Sequence, residues 1–189
     1  MSPIEELSDT DIVRNTLVDK EAFGLLISRY EQKLRRYIRR LGVRNEEDQN
    51  DLLQDIFIKT YKNLYGFDQA LSFSSWIYRI AHNEAVSHFR RRSVRPEGSQ
   101  VDDGNEVVGQ IASGDDLMNE IASRDDGRIL KEALEKIDPK YRDVVVLRYF
   151  EGKEYDEIAD ILLMPVGSVA TRLHRAKTRL RKLLVTKLP

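Results

Sequence analysis

Cysteine is absent from this 189-residue chain. Disulfide staples, thiolate-bound zinc and a thiol nucleophile are therefore excluded, and a reducing compartment fits. No apolar run approaches the roughly 18 to 20 residues that span a bilayer, so no membrane-crossing helix is expected. The first eleven residues carry four acids and no base, the reverse of a secretory leader. Enzyme signatures are missing as well: there is no HExxH, no Walker loop and no Cys/His metal cluster. The three histidines, His82, His88 and His174, are scattered. Asp51 and Asp55 could offer a metal two carboxylates, but no third ligand is evident. A catalyst such as a nuclease is thus disfavoured, and no cofactor, metal or small-molecule substrate is expected.

What is present suits compact cores, with 41% hydrophobic and 33% charged residues. The net charge of −1 conceals a strong split. Residues 1–93 hold 15 bases and 14 acids; residues 94–127 hold 2 and 9; residues 128–189 hold 14 and 9. The middle block also has five of the ten glycines and no aromatic residue. Such a segment buries little, and it reads as a flexible acidic linker between two domains, 1–93 and 128–189. A short helical turn is possible within it, at 117–122.

The flanks read as helices. Phe23, Leu26, Ile27, Tyr30, Leu34, Tyr37, Ile38 and Leu41 recur at three- and four-residue steps, and Gly42 closes the run. Leu52, Leu53, Ile56, Phe57, Tyr61 and Leu64 mark a second helix. Ser72 or Ser74 can cap a third that holds Trp76, Ile77, Ile80, Ala81 and Ala85. Beyond the linker, Ile129, Leu130, Ala133, Leu134 and Ile137 end at Asp138-Pro139. Val144-Val145-Val146 alone could be a strand, but helical neighbours favour helix. The fold class is all-α.

The last third resembles a helix-turn-helix. Ile158, Ala159 and Leu162 form the inner face of its first helix, Leu163-Met164-Pro165 the break, and Val169, Leu173, Ala176, Leu180 and Leu183 the buried stripe of its second. The opposite stripe is Ser168, Thr171, Arg172, Arg175 and Arg179. From 164 to 189 there are seven bases and no acid. An Arg/Thr/Ser face backed by Leu and Ala suits the major groove, early residues on base edges and later ones on phosphates. A solvated basic face on a plain helical hairpin is the alternative. A membrane-surface role is weaker, since the Arg face lacks flanking Trp or Phe.

The first domain carries two further patterns. Six of the fifteen aromatics fall within residues 61–78: Tyr61, Tyr65, Phe67, Phe73, Trp76 and Tyr78. Large aromatics beside a loop at 65–72 invite base stacking. Arg79, Asn83 and Ser87 follow on one helical face, then Arg90-Arg91-Arg92. That is a surface for separated DNA strands, or else core aromatics and a basic helix end favoured by the macrodipole. Separately, Asp51 and Asp55 lie four apart with Gln54 between them and Ile58 adjoining. Like charges at that spacing mildly weaken a helix. The face is either solvated or a dock for a basic partner helix.

Together these residues resemble the bacterial sigma factors of the sigma-70 family, in the extracytoplasmic-function (ECF) subgroup. Asp51-Leu-Leu-Gln-Asp-Ile-Phe57 is similar to that family's core-polymerase-binding motif, and Phe73-Ser-Ser-Trp-Ile-Tyr-Arg-Ile-Ala-His-Asn83 to its −10 segment. Tyr155-Asp-Glu-Ile-Ala-Asp-Ile-Leu162, Pro165-Val-Gly-Ser-Val169 and Arg172-Leu-His-Arg-Ala-Lys177 are similar to its −35 reader. The resemblance implies a chain that binds core RNA polymerase at the β′ clamp helices through Asp51, Leu52, Gln54, Asp55 and Ile58. It implies promoter opening near −10 by Phe67, Phe73, Trp76, Arg79, Asn83, Ser87, Arg90 and Arg91, with a flipped base held by the 67–73 loop and Asn83. It also implies −35 recognition by Ser168, Thr171, His174 and Arg175, phosphate contacts by Arg148 and Arg172, and Arg179 on the same face. The linker would thread the polymerase cleft and RNA exit channel, its charge mimicking nucleic acid. An anti-sigma factor is an implied partner, and the implied location is the cytoplasm, with sequestration at the inner membrane face. Two positions depart from the family: Leu163 replaces a customary Gly, tolerable with negative φ, and Ala170 replaces a Lys or Arg. The reading from a different class is a free-standing helix-turn-helix regulator, which binds duplex DNA without polymerase.

Overall fold

The computed structural model describes residues 7–92 and 127–185, all helix, turn and irregular connection, with no strand among them. The 94–126 part of the acidic stretch, including the turn considered at 117–122, lies outside the described residues; Gly127 opens a helix. Contacts divide the chain into two compact units, the first of residues up to Ser87 together with Asp160–Leu163, the second of the remainder.

The first unit is built on α1 (Asp9–Val18), α2 (Phe23–Leu41), α3 (Glu46–Asn63) and α4 (Phe73–Arg92). Each boundary has a local cause. Asn45 accepts from the backbone N–H groups of Glu47 and Asp48 at 2.7 and 3.2 Å, capping α3. Glu46, Glu47 and Asp48 then meet the positive end of its dipole. Gly42 stops α2 at φ 119°, which a side chain would resist. Ser72, not Ser74, caps α4: its hydroxyl accepts from the Ser75 N–H at 3.2 Å. The core side of α2 is Phe23, Leu26, Tyr30, Leu34, Tyr37, Ile38 and Leu41, as its spacing predicts; only Ile27 is half-buried.

Helix α1 was not expected from the sequence. Ile12 and Val13 are fully buried, and Asp9 ties the helix to α2. The Arg29 guanidinium lies 2.6 Å from the Asp9 carboxylate, and the Tyr30 hydroxyl donates to it. Arg29 also donates to the Leu7 carbonyl at 2.7 Å.

The remaining helices are α5 (Gly127–Lys136), α6 (Pro139–Val145), a π-helical turn (Val146–Phe150), α7 (Tyr155–Leu162) and α8 (Val166–Val185). Asp138 caps α6 by accepting from the Lys140 N–H at 3.0 Å, with Pro139 preorganised at the helix start. The valine run is helical, not extended. Helix α8 packs on α5 and α6, burying Val169, Leu173, Ala176, Leu180 and Leu184. The stripe thus ends on Leu184 and leaves Leu183 half-exposed, because 3.6 residues per turn carries the core line one position further. For the same reason Ile161, not Leu162, is the buried partner of Ile158 and Ala159 in α7.

Candidate nucleic-acid interface

On α3 the residues split cleanly by helical phase. Leu52, Leu53, Ile56 and Phe57 are buried, while Asp51, Gln54 and Asp55 are exposed. Ile58 is 42% exposed beside them. Leu52 therefore belongs to the core and leaves the docking set: a residue one step from Asp51 points about 100° away. The exposed strip joins two carboxylates, an amide and an apolar side chain, which suits a basic partner with an apolar contact.

The same helix is tied to α4 by a bridge of 2.5 Å between Lys59 and Glu84. Glu84 is buried, so this pair fixes α4 against α3. On the other side of α4, His82 is half-buried, and the Tyr37 hydroxyl lies 3.1 Å from its Nδ1. Burial pushes the imidazole down to about 4, so it is neutral at physiological pH. With His82 locked inward, its neighbour Asn83 faces solvent. Arg79 is half-exposed, and Ser87, Arg90 and Arg91 are exposed. Ser87 donates to the Asn83 backbone carbonyl at 2.8 Å.

The aromatic loop differs from expectation. Phe67 and Phe73 are buried, not presented. Phe67 lies 4.8 Å from Trp76 and 5.6 Å from Phe73, centroid to centroid, and Phe73 lies 5.6 Å from Tyr30. Edge-to-face packing here outweighs solvent exposure. The two phenylalanines are the floor under the loop, and Trp76 is half-buried at its edge. The large apolar side chains of the loop that do face solvent are Tyr65, 75% exposed, and Leu71, 51% exposed. Their signal in the sequence is their position beside the turn at Asp68, whose carboxylate accepts from the Ala70 N–H at 2.9 Å.

In the second unit, His174 and Arg179 are exposed, and Ser168, Thr171, Arg172 and Arg175 are half-exposed along the face of α8 opposite its core. Thr171 donates to the Gly167 carbonyl at 2.9 Å. The Arg179 guanidinium lies 4.3 Å from the Tyr141 ring centroid, a stacked position that preorders it. Arg172 acts electrostatically on Asp143, whose carboxyl burial pushes up to about 7 against the pull of Arg142 and Arg172. Arg148 is engaged within the fold: 2.7 Å from Glu154, 3.0 Å from the Lys153 carbonyl and over the Tyr155 ring. It clamps the turn that leads into α7, so a phosphate would have to compete with Glu154. The turn residue Leu163 has φ 51°, not the negative value that leucine prefers.

A family model described as Sigma-70 region 2 matches residues 26–95, and one described as Sigma-70, region 4 matches residues 127–180. The chain is 34% identical to the ECF RNA polymerase sigma-E factor of Haemophilus influenzae over 92% of its own length and 93% of the relative's. It is 32% identical to the ECF RNA polymerase sigma factor SigW of Bacillus subtilis, over 88% and 90%. A solved structure of CnrH in complex with the cytosolic domain of CnrY superposes with a TM-score of 0.69 at 25% identity, covering 95% of this chain and 99% of that one. Two helical units, the second a helix-turn-helix, are the build of a sigma-70 family protein. The chain belongs to the ECF RNA polymerase sigma factors.

Proposed function

We propose that this chain acts as a promoter-specificity subunit, docking on core RNA polymerase through α3 and opening the −10 region through α4, while α8 reads the −35 element. The exposed Asp51, Gln54, Asp55 and Ile58 strip carries this reading, because a free-standing duplex binder has no need of it. The partner surface is the β′ clamp. Asn83, with Tyr65 and Leu71 on the adjacent loop, forms the place for an unpaired base, and buried Phe67 and Phe73 support it from below. Ser168, Thr171, His174 and Arg175 face the major groove, and Arg172 and Arg179 the phosphates.

The functional domains are 1–93 and 128–189, joined by the acidic 94–127 stretch. The chain works without catalysis of its own and in the cytoplasm; no described helix is long and apolar enough to cross a membrane. A regulatory protein that covers one of these faces, an anti-sigma factor, is the further partner, at the membrane where that regulator is anchored there.

The decisive experiment pairs run-off transcription with core binding. The double variant Asp51→Arg/Asp55→Arg should lose core affinity at least tenfold, about 1.4 kcal/mol or more, while keeping its melting temperature. Unchanged affinity would reject the docking strip.

A further inference from the structure

The C-terminal half of α2 carries charge that neither surface above uses. Residues 33–44 hold six cations (Lys33, Arg35, Arg36, Arg39, Arg40 and Arg44) and no acid. Arg35 is committed to α3, 2.7 Å from the Asn50 side-chain oxygen, and to Glu31 at 3.2 Å. Lys33, Arg36 and Arg39 are exposed, and Arg40 is half-buried. Lys33 and Arg36 are three apart, Arg36 and Arg40 four apart; at these spacings like charges repel and weaken a helix. Arg39 and Arg40 regain something from the negative helix end, but that field fades within the last turn and does not reach Lys33 or Arg36. A stable helix would not be assembled this way for its own sake.

The placement of the stripe follows from the packing. Tyr37 of α2 meets Tyr78 of α4 at 5.1 Å and reaches His82, so α4 lies on the Tyr30/Tyr37 side. Arg35 reaches α3 from the other flank. Lys33, whose ammonium sits 5.4 Å over the Tyr30 ring, and Arg36 and Arg40 at steps of three and four therefore border α4 on the side away from α3. On α4 the residues following Tyr78 and His82 are Arg79 and Asn83, and Glu84 faces α3. The two helices thus turn cations and the Asn83 amide toward one shared outer surface.

We propose that Lys33 and Arg36, flanked by Arg40, hold the phosphodiester backbone of promoter DNA along the surface between α2 and α4. The inference rests on the promoter-opening reading of α4 and extends it to a helix outside the motifs. Phosphates are the occupant chosen because the stripe is purely cationic, carries no apolar exposed side chain, and is continuous with the candidate DNA face.

The test uses holoenzyme made from core polymerase and the full chain with Lys33→Ala/Arg36→Ala. Its probes are a duplex promoter and the same promoter with a pre-opened −10 bubble. The slope of log Kobs against log salt should drop in magnitude by about 1.4 to 1.8, two phosphates at about 0.7 to 0.9 each. A change confined to the duplex assigns the stripe to paired DNA; a change on the bubble assigns it to a melted strand. Arg36→Lys alone should keep the wild-type slope. Removing repulsion should leave the melting temperature of the double variant no lower than wild type. An unchanged slope overturns the proposal, and so does an unchanged slope with weakened core binding, which would make the stripe a protein contact. Wild-type holoenzyme that fails to select the promoter would instead reject the reading beneath it.

Discussion

Leu163 sits in the left-handed region at φ 51°, with its side chain 70% exposed. The conformation crowds Cβ against the following carbonyl, and no burial offsets the strain. The turn is enforced from outside the residue: the Met164 N–H bonds the Ala159 carbonyl at 3.0 Å. Leu163→Gly should therefore stabilise the helix-turn-helix by about 0.5 to 1 kcal/mol, strain relief less the entropy of a new glycine. Urea unfolding should register a higher midpoint at unchanged slope. Gly42, by contrast, announces its positive φ through its identity. Residue chemistry told less about Phe67 and Phe73, since an aromatic ring looks the same in a core as on a stacking platform. Leu52 and Asp51 are neighbours in one motif but lie on different faces, one buried and one exposed, a distinction carried by helical phase and not by the motif.

Among the elements, α2, α3, α4 and α8 were legible because each repeats apolar residues over four turns or more. Helix α1 was not. It is ten residues long, buries only Ile12, Val13 and Thr16, and is held by a carboxylate that finds its partners twenty residues away. No local pattern encodes such a contact. The tie is measurable: Asp9→Ala should leave Arg29 and Tyr30 without that acceptor and cost about 1 to 3 kcal/mol. Amide hydrogen exchange should accelerate first in α1, ahead of α2 and α3. Uniform exchange rates across all three would show that Ile12 and Val13 hold the helix unaided. The α2 cations escaped notice for a different reason, because they lie within an apolar periodicity that dominated the reading of that helix.

At the scale of the molecule, one half-buried group in each unit couples stability to pH, and the two act in opposite senses. His82 has its folded pKa lowered to about 4 by burial. As pH falls below about 6.5 the unfolded chain binds a proton the native state refuses, and stability is lost down to about pH 4. Between pH 6.5 and 5 this amounts to about 1.5 kcal/mol. Asp143 has its folded pKa raised to about 7, again by burial. Its contribution is complete below about 3.8 and is lost as pH rises toward 7. Trp76 is the sole tryptophan and belongs to the first unit, so its fluorescence follows that unit through urea. The midpoint should fall between pH 7.5 and 5, and His82→Gln should remove most of that fall. Protection factors in α6 and α8, taken relative to the intrinsic exchange rate at each pH, should rise over the same acidification, and Asp143→Asn should abolish the rise.

Helix α4 runs without a break from Phe73 to Arg92. At about 1.5 Å per residue, Asn83 and Arg91 stand about 12 Å apart along a stiff rod. Under the proposed promoter-opening role, that rod would serve as a ruler: at about 3.4 Å per stacked nucleotide it marks off between three and four steps, and an extra step between its two marks would slide one of them out of reach.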